Sequence, residues 1–366
     1  MARWNHTRVQ LLWWAAGVGI VAVVAFALYS LVGALVFGIF LYYATRPISR
    51  RLDRYVDNSD ATAALTLLAV GLPMLLVVGY GLFQGLGELN QFLASNDLGR
   101  YRSYLRPHVD LARISNLQRL SERIQQGRSG PLGPVSWTAI RRYLSALLRY
   151  ASVIFGVLLD AFVMLLVAFY LLQADDAVGR WFRRTFERER SVVAFAESVD
   201  ADLERIYWGN LVVVGITALI AGVTYYGLRS ISPQGVTVPY VVLSAALTGI
   251  FTLVPVVGIK LFYFPMTGYL LLVAVTREAA PLWFPVAFFL VTLVVVDTVP
   301  DFFIRSYVSS GDIHAGLVLM SYVFGSVAFG WYGIFLGPIV LVLFLHFART
   351  ILPMLLRGVP VESRAE

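Results

Sequence analysis

Five charged residues stand where water is scarce. Asp160 lies inside "YASVIFGVLLDAFVMLLVAFYLL", residues 150–172. Lys260, the chain's only lysine, lies in "LVPVVGIKLFYFP". Asp297, Asp301 and Arg305 share "LVVVDTVPDFFIRSYV", with Pro300 between the two acids. A charge in hydrocarbon costs at least a few kcal/mol, so such residues pair, face a wet cavity, or stay neutral. The chemistry open to them is ion pairing, proton exchange and cation binding. For Asp160 two readings stand: a protonated acid bonded to a neighbouring helix, or a proton or substrate relay. For Lys260 the readings are a side chain reaching for an interface, or a charge beside a broken helix where a transported solute passes. On a helix, Asp297, Asp301 and Arg305 share one face at four-residue spacing. They read either as an interfacial ion pair or as an acidic gate that Arg305 closes at a cytoplasmic mouth.

The backbone signals sit beside these charges. Pro255 and Gly258 precede Lys260 and predict a helix break, because proline removes an amide donor and clashes with the preceding turn. Pro300 predicts a bent or ending helix after Asp297. Gly330, Gly333 and Gly337 in "GSVAFGWYGIFLGP" predict a broken or re-entrant pair. Irregular backbone at membrane depth survives only where protein or a wet cavity surrounds it.

Enzyme chemistry finds little support. The four histidines are His6, His108, His314 and His346, and there is no cysteine. No HExxH, GxSxG or GxxxxGK[ST] motif occurs. No metal site, cofactor or disulfide is expected, and nothing predicts direct use of ATP. His314, near Asp312, reads as a loop or capping residue.

The elements that carry these residues follow from composition. Of 366 residues 58% are hydrophobic and 14% charged, against about a quarter charged in a soluble domain; mean hydropathy is +0.74. Several runs reach the roughly 17–25 residues that span a bilayer as a helix. The fold class is an all-α polytopic membrane protein, with about eight transmembrane helices plus broken or re-entrant segments. Ten apolar runs are legible: 10–27, 29–45, 62–84, 150–173, 206–228, 238–256, 258–276, 281–299, 313–329 and 331–352. Arginines crowd the loop at 46–54, which places it, both termini and a C-terminal tail at 353–366 on the cytoplasmic side of the cell membrane. Residues 1–85 form a hairpin and a third span. The segment 86–149 reads as an extracytoplasmic amphipathic helical region; a long loop translocates largely regardless of its charge. After the span at 150–173, residues 174–205 carry six arginines and eight acids and predict a cytoplasmic helical hairpin packed on the membrane surface. Residues 206–352 form a membrane bundle with Gly/Pro-broken helices. Basic residues beside spans argue against nucleic acid as a partner.

Five stretches together resemble the autoinducer-2 exporter family of PerM-like permeases. They are "ATRPISRRLDR" after the second run, "FYLLQADD" at 169–176, "DADLERIYWGN" at 200–210, "LTGIFTLVPVVG" at 247–258, and 297–338 ending in "FGWYGIFLGP". Their order covers nearly the whole chain. The chain departs from the family pattern at Ser306, often proline there, and at "IKLFYFP" after the break. The resemblance implies a permease of about eight spans, assembled as a homo-oligomer. Family activities include export of small polar signalling molecules and, in some members, sodium–proton antiport. The leading expectation is export of a small polar solute, or a cation, by a secondary mechanism. The alternatives are an antiporter of the same family and an uncoupled oligomeric channel or scaffold.

Overall fold

Apolar runs bounded by Gly, Pro and charge become helices, because in lipid every backbone amide must be satisfied within its own segment. The computed structural model describes residues 3–56, 58–81, 137–254, 257–276, 281–300 and 313–356. These form ten helices: α1 (Arg3–Ser30), α2 (Val32–Leu52), α3 (Ser59–Gly81), α4 (Trp137–Thr185), α5 (Arg190–Ser230), α6 (Val241–Phe251), α7 (Gly258–Thr276), α8 (Trp283–Thr298), α9 (Ala315–Phe329) and α10 (Gly333–Leu356). Among the described residues, seven are long and apolar enough to cross a membrane; α6, α8 and α9 are shorter. The protein is an all-α polytopic membrane protein.

The chain divides into two units. The larger comprises Met1–Met74 and Leu159–Glu366, the smaller Leu75–Leu158. Most of the expected amphipathic region lies outside the described residues. Its end is helical, and α4 runs through residue 150 without a break.

The larger unit has two cores that share α5. The first packs α2, α3 and the later part of α4 against the first half of α5, α9 and α10, around Phe40, Leu41, Tyr207 and Val342. The second packs α6, α7 and α8 against the second half of α5, around Tyr225, Tyr263, Leu270, Phe284 and Phe288. The polar connector at 174–205 is formed by the end of α4 and the start of α5, joined at residues 186–189. The 41-residue α5 rises about 60 Å, twice the roughly 30 Å of hydrocarbon, so it is longer than one crossing.

α6 runs back along α5, with Gly249 against the Val214 carbonyl and Ala218. With eleven residues it rises about 16 Å, half a crossing. The chain leaves the helix at 252–254 and restarts as α7 at Gly258. Pro255 itself lies outside the described residues. A Cβ at Gly258 would overlap the Phe251 carbonyl, so the reversal needs glycine there.

The C-terminal hairpin is built on missing side chains. α9 ends at Gly330, whose φ is 75°, a conformation that L side chains rarely adopt. A Cβ at Gly325 would overlap the Gly333 carbonyl, one at Gly333 the Gly325 carbonyl, and one at Gly337 the Ser321 carbonyl. The four-residue spacing of Ser321 and Gly325, and of Gly333 and Gly337, puts each pair on one helix face and lets the backbones touch. Gly333→Leu is therefore expected to split the hairpin and abolish a monodisperse peak in detergent gel filtration. Gly17→Leu, where nothing lies within 4 Å, should leave that peak unchanged. Equal profiles for the two variants would show that the close contact is dispensable.

Candidate transport site

The second core encloses an ion pair. Lys260, in the first turn of α7, donates from Nζ to Asp297 Oδ2 at 2.8 Å, and the Tyr263 hydroxyl donates to the same oxygen at 3.2 Å. The Asp297 side chain is 6% exposed and that of Lys260 34%. Asp297 is thus inside the packed core, with the lysine at its open edge. Its described charged partner comes from a helix 37 residues upstream. Asp301 and Arg305, the other members of the expected gate, lie outside the described residues. The carboxylate also sits beside the N-terminus of α7, where the helix dipole favours negative charge.

The local backbone explains how Asp297 is aimed. Residues Thr292–Thr298 form a π-helical turn, and the Thr298 hydroxyl donates to the Leu293 carbonyl at 2.7 Å. Pro300, buried at the end of this stretch, has no amide to close the following turn. Wide π turns appear mostly as single insertions at functional sites. The same core holds other polar groups: the Tyr225 and Thr248 hydroxyls lie 3.2 Å apart.

A second cluster was missed as a site by sequence reasoning. Arg46 of α2, 6% exposed, meets three carboxylates. Its Nε donates to Asp175 Oδ2 of α4 at 2.8 Å, and its Nη1 to Asp200 Oδ2 and Glu204 Oε2 of α5 at 2.7 and 3.1 Å. Arg50 adds a bond to Glu204 at 3.2 Å. The Tyr42 and Tyr43 hydroxyls donate to Asp175 and Asp200 at 2.7 and 3.1 Å, and the Arg46 guanidinium lies 5.3 Å from the Tyr42 ring centre. One face of α2 thus ties together α4 and α5. Three of the stretches that carry the resemblance, at 44–54, 169–176 and 200–210, meet here. The available signal was an arginine, and then acids, placed at the very ends of apolar runs.

Smaller polar links sit along α5. Asp202 bonds His346 at 2.8 Å and pairs with Arg205 at 3.0 Å, and Asn210 donates to the Tyr322 hydroxyl at 2.9 Å. His314 caps α9, its Nδ1 accepting from the Gly316 amide at 3.1 Å.

Asp160 lines a pocket with Gly33, Trp331 and Tyr332, next to the α1–α2 and α9–α10 turns. Fifteen residues separate it from Asp175, about 22 Å of helix, and thirteen separate Gly33 from Arg46, about 20 Å. Both helices therefore place it at the opposite end from the arginine cluster. Among the described residues no group of three or more His, Asp or Glu is placed to hold a metal ion.

Residues 12–352 match the description "AI-2E family transporter". A protein of Archaeoglobus fulgidus is 24% identical over 324 residues, covering 85% of each chain. One of Methanothermobacter thermautotrophicus is 23% identical over 317 residues, covering 84% of each. Both carry the name "Putative transport protein".

Proposed function

This chain belongs to the AI-2E transporter family, and from that premise we propose that it is a secondary permease of the cell membrane that exports a small polar solute or signalling molecule. The observation that supports this most is the Lys260–Asp297 pair, buried in the second core beside a broken helix and a π turn. Discontinuous helices at partial depth offer unpaired backbone groups to a solute. The pair is neutral as a whole, so it survives in a dry interior, yet each partner can release the other to a passing ion. No nucleotide motif accompanies it, so an ion gradient is the energy source in this reading, and no catalytic role is assigned.

A second reading, sodium–proton antiport, rests on the same carboxylate. A proton or a sodium ion can take the place of the Lys260 ammonium on Asp297. Purified protein in sealed vesicles separates the readings. Coupled export moves a solute from a panel uphill when a proton or sodium gradient is imposed. Antiport moves protons on a sodium gradient with no solute present. Solute flux that only follows its own gradient would refute both and leave an uncoupled channel.

In this proposal both termini and residues 46–60 face the cytoplasm, and the chain assembles as a homo-oligomer. The exposed apolar surface of α1, none of whose Trp13–Ser30 window is buried, is available to lipid or to another subunit. The native chain lacks cysteine, so single-cysteine labelling is clean. Ser49 is buried but Tyr55 is 87% exposed. Tyr55→Cys is expected to resist an impermeant maleimide in intact cells and to react after permeabilisation. Labelling of intact cells would invert the topology.

A further inference from the structure

The arginine cluster binds its own carboxylates and the second core pairs Lys260 with Asp297, whereas Asp160 has no ion-pair or hydrogen-bond partner among the described residues. It lines a pocket of about 310 Å³, whose wall includes Tyr29, Ser30, Gly33, Trp331 and Tyr332. Trp331 lies directly against Gly33: a Cβ there would stand 2.6 Å from Trp331 Cζ2. Glycine at this position thus lets the indole lie on the α2 backbone at the pocket's wall. Trp331 and Tyr332 are held edge to face, 6.1 Å between ring centres. The Ser30 hydroxyl is used locally, donating to the Ala27 carbonyl at 2.9 Å.

These features narrow the occupant by its chemistry. The lone carboxylate repels anions. A hard metal ion such as calcium takes six to eight oxygen ligands, and one carboxylate among aromatic rings does not supply them. An organic ammonium needs an anion and ring faces, because the ring quadrupole attracts a cation and does so most strongly for tryptophan. The volume is at the lower end of small-molecule pockets, roughly 300–1,000 Å³, which suits a compact amine. We propose that this pocket is a binding site for an ammonium group, recognised by Asp160 with Trp331 and Tyr332. It lies at the end of α2 and α4 remote from Arg46, and it stands independently of which solute the chain transports. The same chemistry comes from two sources, a free amine or an ethanolamine lipid headgroup.

The test uses the full chain in nanodiscs and radiolabelled ethanolamine. In discs of phosphatidylglycerol alone, saturable binding is expected, displaced by tetramethylammonium chloride and not by equimolar sodium chloride. Asp160→Asn should weaken it at least tenfold while the gel-filtration profile stays unchanged. Asp160→Glu keeps the charge and should retain binding within a fewfold, and Trp331→Leu should weaken it severalfold. Repeating the titration in discs half phosphatidylethanolamine separates the sources: a severalfold weaker apparent affinity assigns the site to lipid headgroups, and an unchanged one to free amines. No saturable binding in phosphatidylglycerol discs, or equal binding by the folded Asp160→Asn protein, overturns the proposal.

Discussion

Arg46→Ala is expected to cost the protein more stability than any other single charge removal. The guanidinium is the shared partner of Asp175, Asp200 and Glu204, and without it three carboxylates face one another with only Arg50 nearby. Breaking a buried pair by removing one partner typically costs about 3–5 kcal/mol, against a total stability of about 5–15 kcal/mol for a folded domain. The Asp175 bond dominates, since that side chain is 13% exposed; the Asp200 side chain is 40% exposed, where solvent screening leaves little. The damage reaches three helices because Arg46 is where α2 holds α4 and α5. Arg46→Lys should fall between, because an ammonium keeps the charge and loses the planar fork that serves several acceptors at once. Thermal unfolding in detergent reads both variants. Adding Asp175→Asn to Arg46→Ala should recover part of the loss by removing one stranded charge. A melting curve for Arg46→Ala that overlays the parent would show that the cluster is solvated and does not hold the helices.

Asp297→Asn is expected to reduce coupled flux at least tenfold with assembly intact. The amide keeps the side chain's size and can still accept from the Tyr263 hydroxyl, so the packing of the second core survives. It cannot take a proton or hold a cation, and it leaves the Lys260 ammonium facing a neutral group. A charge stranded in a partly dry site is costly, so a modest loss of stability accompanies the loss of flux. Lys260→Met in the Asp297→Asn background removes the stranded charge and separates the two effects. That double variant should recover stability and remain inactive. The measurement is flux per correctly assembled protein in vesicles. A double variant with parental flux would make the pair a structural staple and remove the functional role assigned to it here.

Much of this architecture is local and can be read from the chain alone. Whether a run is a helix at membrane depth depends on its summed hydropathy and length, and both belong to contiguous residues. Hence the ten runs and the ten described helices correspond, and Pro255 and Gly258 announce the interruption before α7. The capping role of His314 is equally local, since its imidazole reaches an amide two residues on.

What the sequence could not decide is which charge meets which, because that depends on how far each helix slides along its neighbours. Asp297 pairs with Lys260 across the α7–α8 hairpin, a partner that four-residue spacing within one helix cannot indicate. Arg46, Asp175, Asp200 and Glu204 become one site only when α2, α4 and α5 pack with their polar ends level. Asp160 illustrates the same limit from the other side. An unbroken apolar run does not say what its acid meets, and only packing brings Asp160 to Gly33, Trp331 and Tyr332. Hydrophobicity, which is summed over a segment, is settled by the sequence; register, which is a relation between segments, is settled only when the side chains of several helices interlock.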